Sequence, residues 1–303
     1  MKGEQEYQLA GIQYLSMYTF AYHHPKSIEE AIEISASYEQ QVRYLAGGTD
    51  LLVRIKQVQF QPKAVIDLKS IESLSDEIEV SADEVRIGTL ALLSNIEHNE
   101  TIEKHFPALI EAASSIGSVQ IRNRATLGGN ICNASPAADS FPPLFIYGAK
   151  VQIVGKAAER IVPIEDFVLG PGKTCLSNVE FVRSIILPIP EYRQAASFDR
   201  LTRRRGVDLA TVNLACQVRE SGITRFAVGA AAPVPFVVEE KEGQLSDANL
   251  GQSEKMGLIR GLMQAASPIT DVRASKEYRK EMLAVLARRT LEKAIQKFEN
   301  TDR

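Results

Sequence analysis

The period of the apolar positions changes several times along the chain, and each change marks an element. Phe20-Ala21-Tyr22 alternates as a short strand does. Ser27 followed by Glu30 makes a capping-box pattern, and Ile28, Ala31, Ile32 and Ser35 then form the inner stripe of a helix ending near Tyr38. Residues 42–46 read as a buried strand. Gly47-Gly48 breaks it as a tight turn, and Thr49 or Asp50 is placed to cap a helix carrying Leu51, Leu52, Ile55 and Val58. A second strand, 64–68, completes a β-α-β unit, for which a right-handed parallel crossover is expected.

Beyond it the alternation at 77–88 predicts an antiparallel hairpin, and 91–97 and 107–115 have helical spacing. Residues 116–124 lead into a stretch without periodicity. Residues 144–147 predict a short apolar helix, 150–154 and 160–163 strands, and Ile164-Glu165-Asp166-Phe167 a single helical turn. Gly170-Pro171-Gly172-Lys173 is a turn without the spacing of a P-loop. A strand at 180–187 closes at Pro188, where the composition shifts, and a domain boundary is expected at 188–190. Segments 197–201, 209–218 and 223–228 suit a small antiparallel sheet, with Glu220-Ser221-Gly222 turning a hairpin. Segments 255–265 and 276–297 are amphipathic helices, the second directing Met282, Leu283, Leu286, Leu291 and Ile295 inward. Residues 1–18 form a polar N-terminal extension. The domains expected are therefore 1–18, 19–75, 76–190 and 191–303.

The aperiodic stretch, Thr126 to Asp139, is the one around which the chain is organised. It holds Gly128-Gly129, a run of small residues, Pro136 and a closing carboxylate, with few large apolar side chains. Paired glycines permit positive φ and close approach of a ligand to the main chain. With Gly47-Gly48 it suggests two loops converging on one large cofactor. At Gly47-Gly48 two readings stay open: an anion cradle at a helix start, or a left-handed turn joining strand to helix. The glycine spacing does not match G-x-G-x-x-G, which disfavours a Rossmann fold. Arg122 and Arg124 are open to a phosphate-contact and a surface-turn reading.

Composition narrows the chemistry. With 303 residues, 45% hydrophobic and 24% charged, the chain has room for two or three globular domains. A formal net charge of −3 lacks the basic footprint of a nucleic-acid binder. Arg203-Arg204-Arg205 is local and suits a solvated or structural turn. Cys132, Cys175 and Cys216 have neither zinc nor disulfide-framework spacing, and four histidines speak against a histidine metal site. No run approaches the ~20 apolar residues of a membrane span, and without a signal peptide a cytoplasmic location is expected. No nucleophile–base–acid set emerges. Ser135 lacks a nucleophile elbow, Cys132 suits a packed filler, and Asp139 suits a cap or hydroxyl ligand. Chemistry carried by a cofactor fits that absence.

Taken together, certain motifs resemble the FAD-binding medium subunits of the molybdenum hydroxylases, a family that includes xanthine and carbon monoxide dehydrogenases. They are Phe20-Ala21-Tyr22 with Pro25 and Ser27; Leu45-Ala46-Gly47-Gly48-Thr49-Asp50-Leu51; Thr126-Leu127-Gly128-Gly129-Asn130 with Asp139; 198–204; and Asp208-Leu209-Ala210. The match spans 19–297. It implies an α+β fold: two α/β FAD-binding subdomains of the PCMH type, not Rossmann, and a C-terminal domain with a small antiparallel sheet and helices. By that resemblance Ala46 to Asp50 cradle the FAD pyrophosphate. Thr126, Gly129 and Asn130 complete phosphate and ribityl contacts, and Asp139 binds a cofactor hydroxyl. Ile116, Gly117, Cys132 and Asn133 lie along the same groove, and Val182 lines the adenine or ring pocket. Arg200 stands where the family usually has a lysine. The implied partners are a large subunit with a molybdenum cofactor, which hydroxylates the substrate, and a small [2Fe–2S] subunit that passes electrons to FAD. NAD+ or another species accepts them, and the purine-oxidising type is the expected one. The scattered cysteines suggest no iron–sulfur cluster in this chain. A stand-alone flavin oxidase and a non-catalytic nucleotide-binding subunit are the alternatives.

Overall fold

A computed structural model of the chain describes residues 19–155 and 159–300; the N-terminal extension expected at 1–18 lies outside them. Strands β1 (Ala21–His23), β2 (Val42–Leu45) and β3 (Ala64–Asp67), with helices α1 (Ile28–Ser37) and α2 (Leu51–Lys56), form a parallel three-stranded sheet in the order β1-β3-β2. Ser27 caps α1 by accepting from the Glu30 N–H at 3.1 Å, and the Glu30 carboxylate accepts from the Lys26 N–H at 2.6 Å. The inner stripe of α1 packs with Val42, Ala64 and Ile66. Helix α2 is shorter than its apolar spacing suggests. It ends before Val58, which is exposed with φ 59° in a left-handed C-terminal turn.

The next unit runs β4 (Ile78–Val80), β5 (Glu84–Gly88), α3 (Leu93–Glu97), α4 (Glu100–His105), α5 (Pro107–Ser115), α6 (Val119–Arg122), α7 (Leu127–Cys132), α8 (Phe141–Ile146), β6 (Lys150–Gly155), β7 (Glu159–Pro163), α9 (Ile164–Phe167), β8 (Val168–Gly170), β9 (Lys173–Thr174) and β10 (Glu180–Pro188). Five strands form an antiparallel sheet in the order β4-β5-β10-β6-β7. Its buried face, with Val85, Ile87, Val151, Ile153 and Ile185, joins one large core with α5, α7 and α8. Every residue of α8 is buried. Helices α4 and α6 were not legible in the apolar spacing, because they are only six and four residues long and their caps, Asn99 and Ser118, carry the signal.

Strands β11 (Gln194–Leu201), β12 (Val212–Arg219), β13 (Thr224–Gly229) and β14 (Phe236–Glu240) form a four-stranded antiparallel meander. β14 is a strand that alternation had not indicated, and Leu209, expected within a strand, is exposed ahead of β12. Helices α10 (Gln252–Leu262) and α11 (Lys276–Asn300) cover one face, with Leu283, Leu286 and Leu291 packed on Leu214, Cys216 and Phe226. Glu111 of α5 ties this unit to the preceding one, accepting from the Phe198 N–H at 2.6 Å, Ser197 Oγ at 3.0 Å and Lys297 Nζ at 2.7 Å. Among the described residues no helix is long and apolar enough to cross a membrane.

Candidate functional site

The loop between β2 and α2 has its shape from its two glycines. Gly48 adopts φ +76°, a left-handed conformation that side chains resist. At Gly47 the reason is proximity, since a Cβ there would overlap the Arg124 carbonyl oxygen and lie 2.9 Å from Ala125 Cα. Among the described residues nothing accepts a hydrogen bond from the N–H groups of Gly47, Gly48, Thr49 or Asp50. Four consecutive free donors around a left-handed residue form a concavity of the kind that binds anions. Asp50 stands at the N-cap of α2 without capping it, and its carboxylate instead pairs with Arg54 at 2.8 Å.

The second glycine pair behaves differently from its sequence expectation. Residues 126–139 are not one loop: Gly128 and Gly129 lie in the first turn of α7, and neither has positive φ. The N–H groups there are satisfied within the protein. Leu127 donates to Ala91 O at 3.0 Å, Gly128 to Thr89 O at 3.2 Å, Gly129 to Thr126 Oγ1 at 3.0 Å, and Asn130 to Thr126 O at 2.9 Å. Gly128 is required because a Cβ would overlap Thr89 Oγ1 and sit 2.5 Å from its carbonyl. Gly129 is different again. A Cβ there would meet Thr126 Oγ1 at 2.9 Å and Ala46 Cβ at 3.8 Å, and otherwise face open space. The two loops thus abut at Ala46 and Gly129.

Between them lies a cleft of about 470 Å³, within the usual range for a small-molecule site. Of the residues singled out in the sequence, Ala46 to Leu51, Thr126, Gly128 to Asn130, Cys132, Asn133 and Val182 line it. So do residues that sequence reasoning missed: Arg43, Arg54, Phe60, Thr89, Gly172 and Phe181 among them. Arg43 and Arg54 hold their guanidinium groups 4.6 and 5.4 Å from the Phe60 ring centre, a cation–π arrangement in the cleft lining. Gly172 arrives through the β8–β9 hairpin, held by its N–H to Ala134 O at 2.9 Å. Cys132 opens onto the cleft, yet desolvation by the surrounding protein, with Cys175 adding to it, pushes its thiol to about 12.

Five of the singled-out residues stand away from the lining. Leu45 is buried beneath the loop, and Ile116 and Gly117 (φ +58°) turn the chain between α5 and α6. Asp139 and Arg200 meet each other, at 2.6 Å, in a buried junction of the two larger units. Asn213 Nδ2 also donates to Asp139 at 2.7 Å, and Ser115 Oγ stands 3.5 Å away. Burial raises the Asp139 carboxyl above its ordinary value, with Arg200 and Asn213 offsetting part of the effect. The approach arginines divide as well. Arg122 is buried and paired with Glu97 at 2.7 Å, a structural role, whereas the Arg124 side chain is exposed. Arg203 pairs with Asp208 and Arg204 binds the Val207 carbonyl, so two of the three clustered arginines serve their own turn.

A parallel α/β unit, an antiparallel sheet and a four-stranded meander thus carry a cleft walled by two glycine segments. Residues 18–190 match the family model described as the FAD binding domain in molybdopterin dehydrogenase, and residues 196–294 match the CO dehydrogenase flavoprotein C-terminal domain. The chain belongs to this family of FAD-binding subunits of molybdenum-hydroxylase dehydrogenases, which are oxidoreductases, and its cofactor is FAD. It is 31% identical to the xanthine dehydrogenase FAD-binding subunit of Escherichia coli, covering 92% of this chain and 97% of that one. To the nicotinate dehydrogenase FAD-subunit of Eubacterium barkeri it is 29% identical, covering 88% and 92%. The structure of reconstituted CO dehydrogenase from Oligotropha carboxidovorans superposes with a TM-score of 0.83 at 27% identity, covering 92% and 98%.

Proposed function

We propose that this chain carries FAD as the electron-transfer subunit of a molybdenum hydroxylase of the xanthine dehydrogenase type. It would take electrons from a [2Fe–2S] subunit, served by a large subunit with a molybdenum cofactor, and pass them to NAD+ or another acceptor. The observation that carries the cofactor placement is the set of four free N–H donors at Gly47 to Asp50, residues that line a cleft to which Gly129 and Gly172 contribute no side chain. A diphosphate needs such donors, and a flat ring system needs such bare walls. In this reading Ala46 to Leu51 hold the pyrophosphate, while Thr126, Gly128 to Asn130, Cys132, Asn133 and Val182 form the wall along the rest of the cofactor. Arg43 adds positive charge to the cleft lining, and Arg54 is paired with Asp50. Leu45 is buried beneath the loop, and the Asp139–Arg200 pair joins the second unit to the C-terminal one.

Bound FAD supplies the exchange between two-electron and one-electron chemistry, so this chain needs no acid or base of its own. Its residues bind, orient and exclude water. The division into units 19–75, 76–190 and 191–303 and a cytoplasmic location belong to the same proposal.

The test begins with the visible spectrum of the purified chain before and after adding FAD, with the released cofactor identified. Oxidised-flavin bands are expected, without an iron–sulfur shoulder; no flavin under either condition overturns the cleft assignment. The reconstituted complex is then mixed anaerobically with xanthine, followed by NAD+. Bleaching and recovery of the flavin bands are expected. Bleaching by xanthine in the isolated chain would instead indicate a stand-alone oxidase, and failure of NAD+ to restore the bands would exclude it as acceptor.

A further inference from the structure

Beside the first glycine loop, three side chains form a relay that touches the loop backbone. Lys69 Nζ donates to the Ala46 carbonyl oxygen at 3.1 Å and to Asp67 Oδ1 at 2.6 Å. Asp67 Oδ1 also accepts from the Lys69 N–H at 3.0 Å, and Asp67 Oδ2 accepts from the Tyr22 hydroxyl. The Asp67 side chain is buried. Lys69 and Tyr22 are not among the described residues that line the cleft. The relay therefore joins β1, the end of β3 and the turn after β2.

The position of the ammonium matters because of peptide geometry. In a trans peptide the carbonyl and the following N–H point in opposite directions, and among the described residues no peptide is cis. With the Ala46 oxygen held by Lys69, the Gly47 N–H is turned away from the relay, and Gly47 lines the cleft. We propose that Tyr22, Asp67 and Lys69 are positioning residues for the diphosphate cradle, fixing the Ala46–Gly47 peptide so that its N–H faces the cofactor. This rests on the placement of the FAD diphosphate at Gly47 to Asp50. Lys69 acts through the backbone, and Asp67 acts by holding Lys69. The relay also gives a role to Tyr22, whose ring is otherwise half exposed on a three-residue edge strand.

The alternative role for Lys69 is a plain positive charge near the phosphates, and the two roles respond oppositely to loss of Asp67. FAD dissociation constants are measured by flavin fluorescence on the full-length chain freed of cofactor. The variants are Lys69→Met, Asp67→Asn and, as a check on the cradle itself, Gly48→Val, each with a melting curve. Positioning predicts weakening of about tenfold or more for both Lys69→Met and Asp67→Asn. If Asp67→Asn binds FAD as well as or better than wild type while Lys69→Met loses it, Lys69 is a charge and the proposal is wrong. If neither variant weakens binding while Gly48→Val does, the proposal fails with the cradle intact. If Gly48→Val binds FAD normally, the cradle placement fails first. Should a relay variant not fold, Tyr22→Phe removes only the hydroxyl; an unchanged dissociation constant there also overturns the relay.

Discussion

Adjacent glycines in α7 are predicted to fail in opposite ways. A methyl at Gly128 would overlap Thr89 Oγ1 and approach the Thr89 carbonyl to 2.5 Å. The hydroxyl can rotate, but the carbonyl is backbone and is held by the Gly128 N–H itself at 3.2 Å. Overpacking of this kind costs about 1–3 kcal/mol, and contact with backbone puts Gly128→Ala at the upper end. The gain in helix propensity on replacing glycine returns about 1 kcal/mol. A net loss of about 2 kcal/mol lowers the melting temperature by roughly 4–8 °C. At Gly129 the only close atom is Thr126 Oγ1, at 2.9 Å. Straining that cap costs about 1 kcal/mol, of which valine, itself a poor helix former, returns only about 0.3 kcal/mol over glycine. Gly129→Val therefore melts only slightly below wild type in the cofactor-free state, and above Gly128→Ala. Its branched side chain, however, occupies the cleft beside Ala46, and FAD affinity should fall at least about 100-fold, equivalent to about 2.7 kcal/mol. The assay pairs melting of the cofactor-free chain with flavin absorbance per mole of protein. Equal melting shifts in the two variants, or full flavin in folded Gly129→Val, would refute this division of labour.

Two further outcomes are expected. Arg200→Met leaves the Asp139 carboxylate buried with Asn213 as its remaining close donor, and breaking a buried pair costs about 3–5 kcal/mol. Because burial already raises this carboxyl, and losing Arg200 raises it further, stability in the variant is regained as pH falls toward the ordinary carboxylate value of about 4. Denaturant titrations at several pH values read this; a deficit that does not shrink on acidification contradicts it. Glu180 has the opposite sign. The hydrogen bond from Arg160 holds its carboxyl at about 2 against an ordinary 4.5. Its contribution is thus present above pH 4.5 and lost as pH falls toward 2. Glu180→Gln should flatten that acid limb, and an unchanged limb would contradict the assignment.

The elements with the clearest periodicity were legible in the sequence. The capped stripe of α1, the strand–glycine–helix order from β2 to α2, and the inward Leu283, Leu286 and Leu291 of α11 all follow from spacing between near neighbours. β14 was not legible, because its burial is graded rather than alternating and only pairing with β13 makes it a strand. Helix α7 was hidden for another reason: glycine and asparagine have poor helix propensity, and the segment is held helical by Thr126 and by backbone bonds to Thr89 and Ala91.

By itself, then, the sequence determined the local code: which stretches are apolar and at what period, where chain direction reverses, and where side chains are absent. Those properties depend on neighbours within a few residues, and the family motifs are built from them. What the glycines are for was decided only by tertiary structure. Gly48 meets a backbone angle, Gly47 and Gly128 meet a neighbouring carbonyl, and Gly129 faces open space. Tertiary structure also sent Arg122 to Glu97 and brought Asp139 to Arg200 across 61 residues of chain. Such partners are chosen by burial, where an unpaired charge is costly, and burial exists only once distant segments have packed.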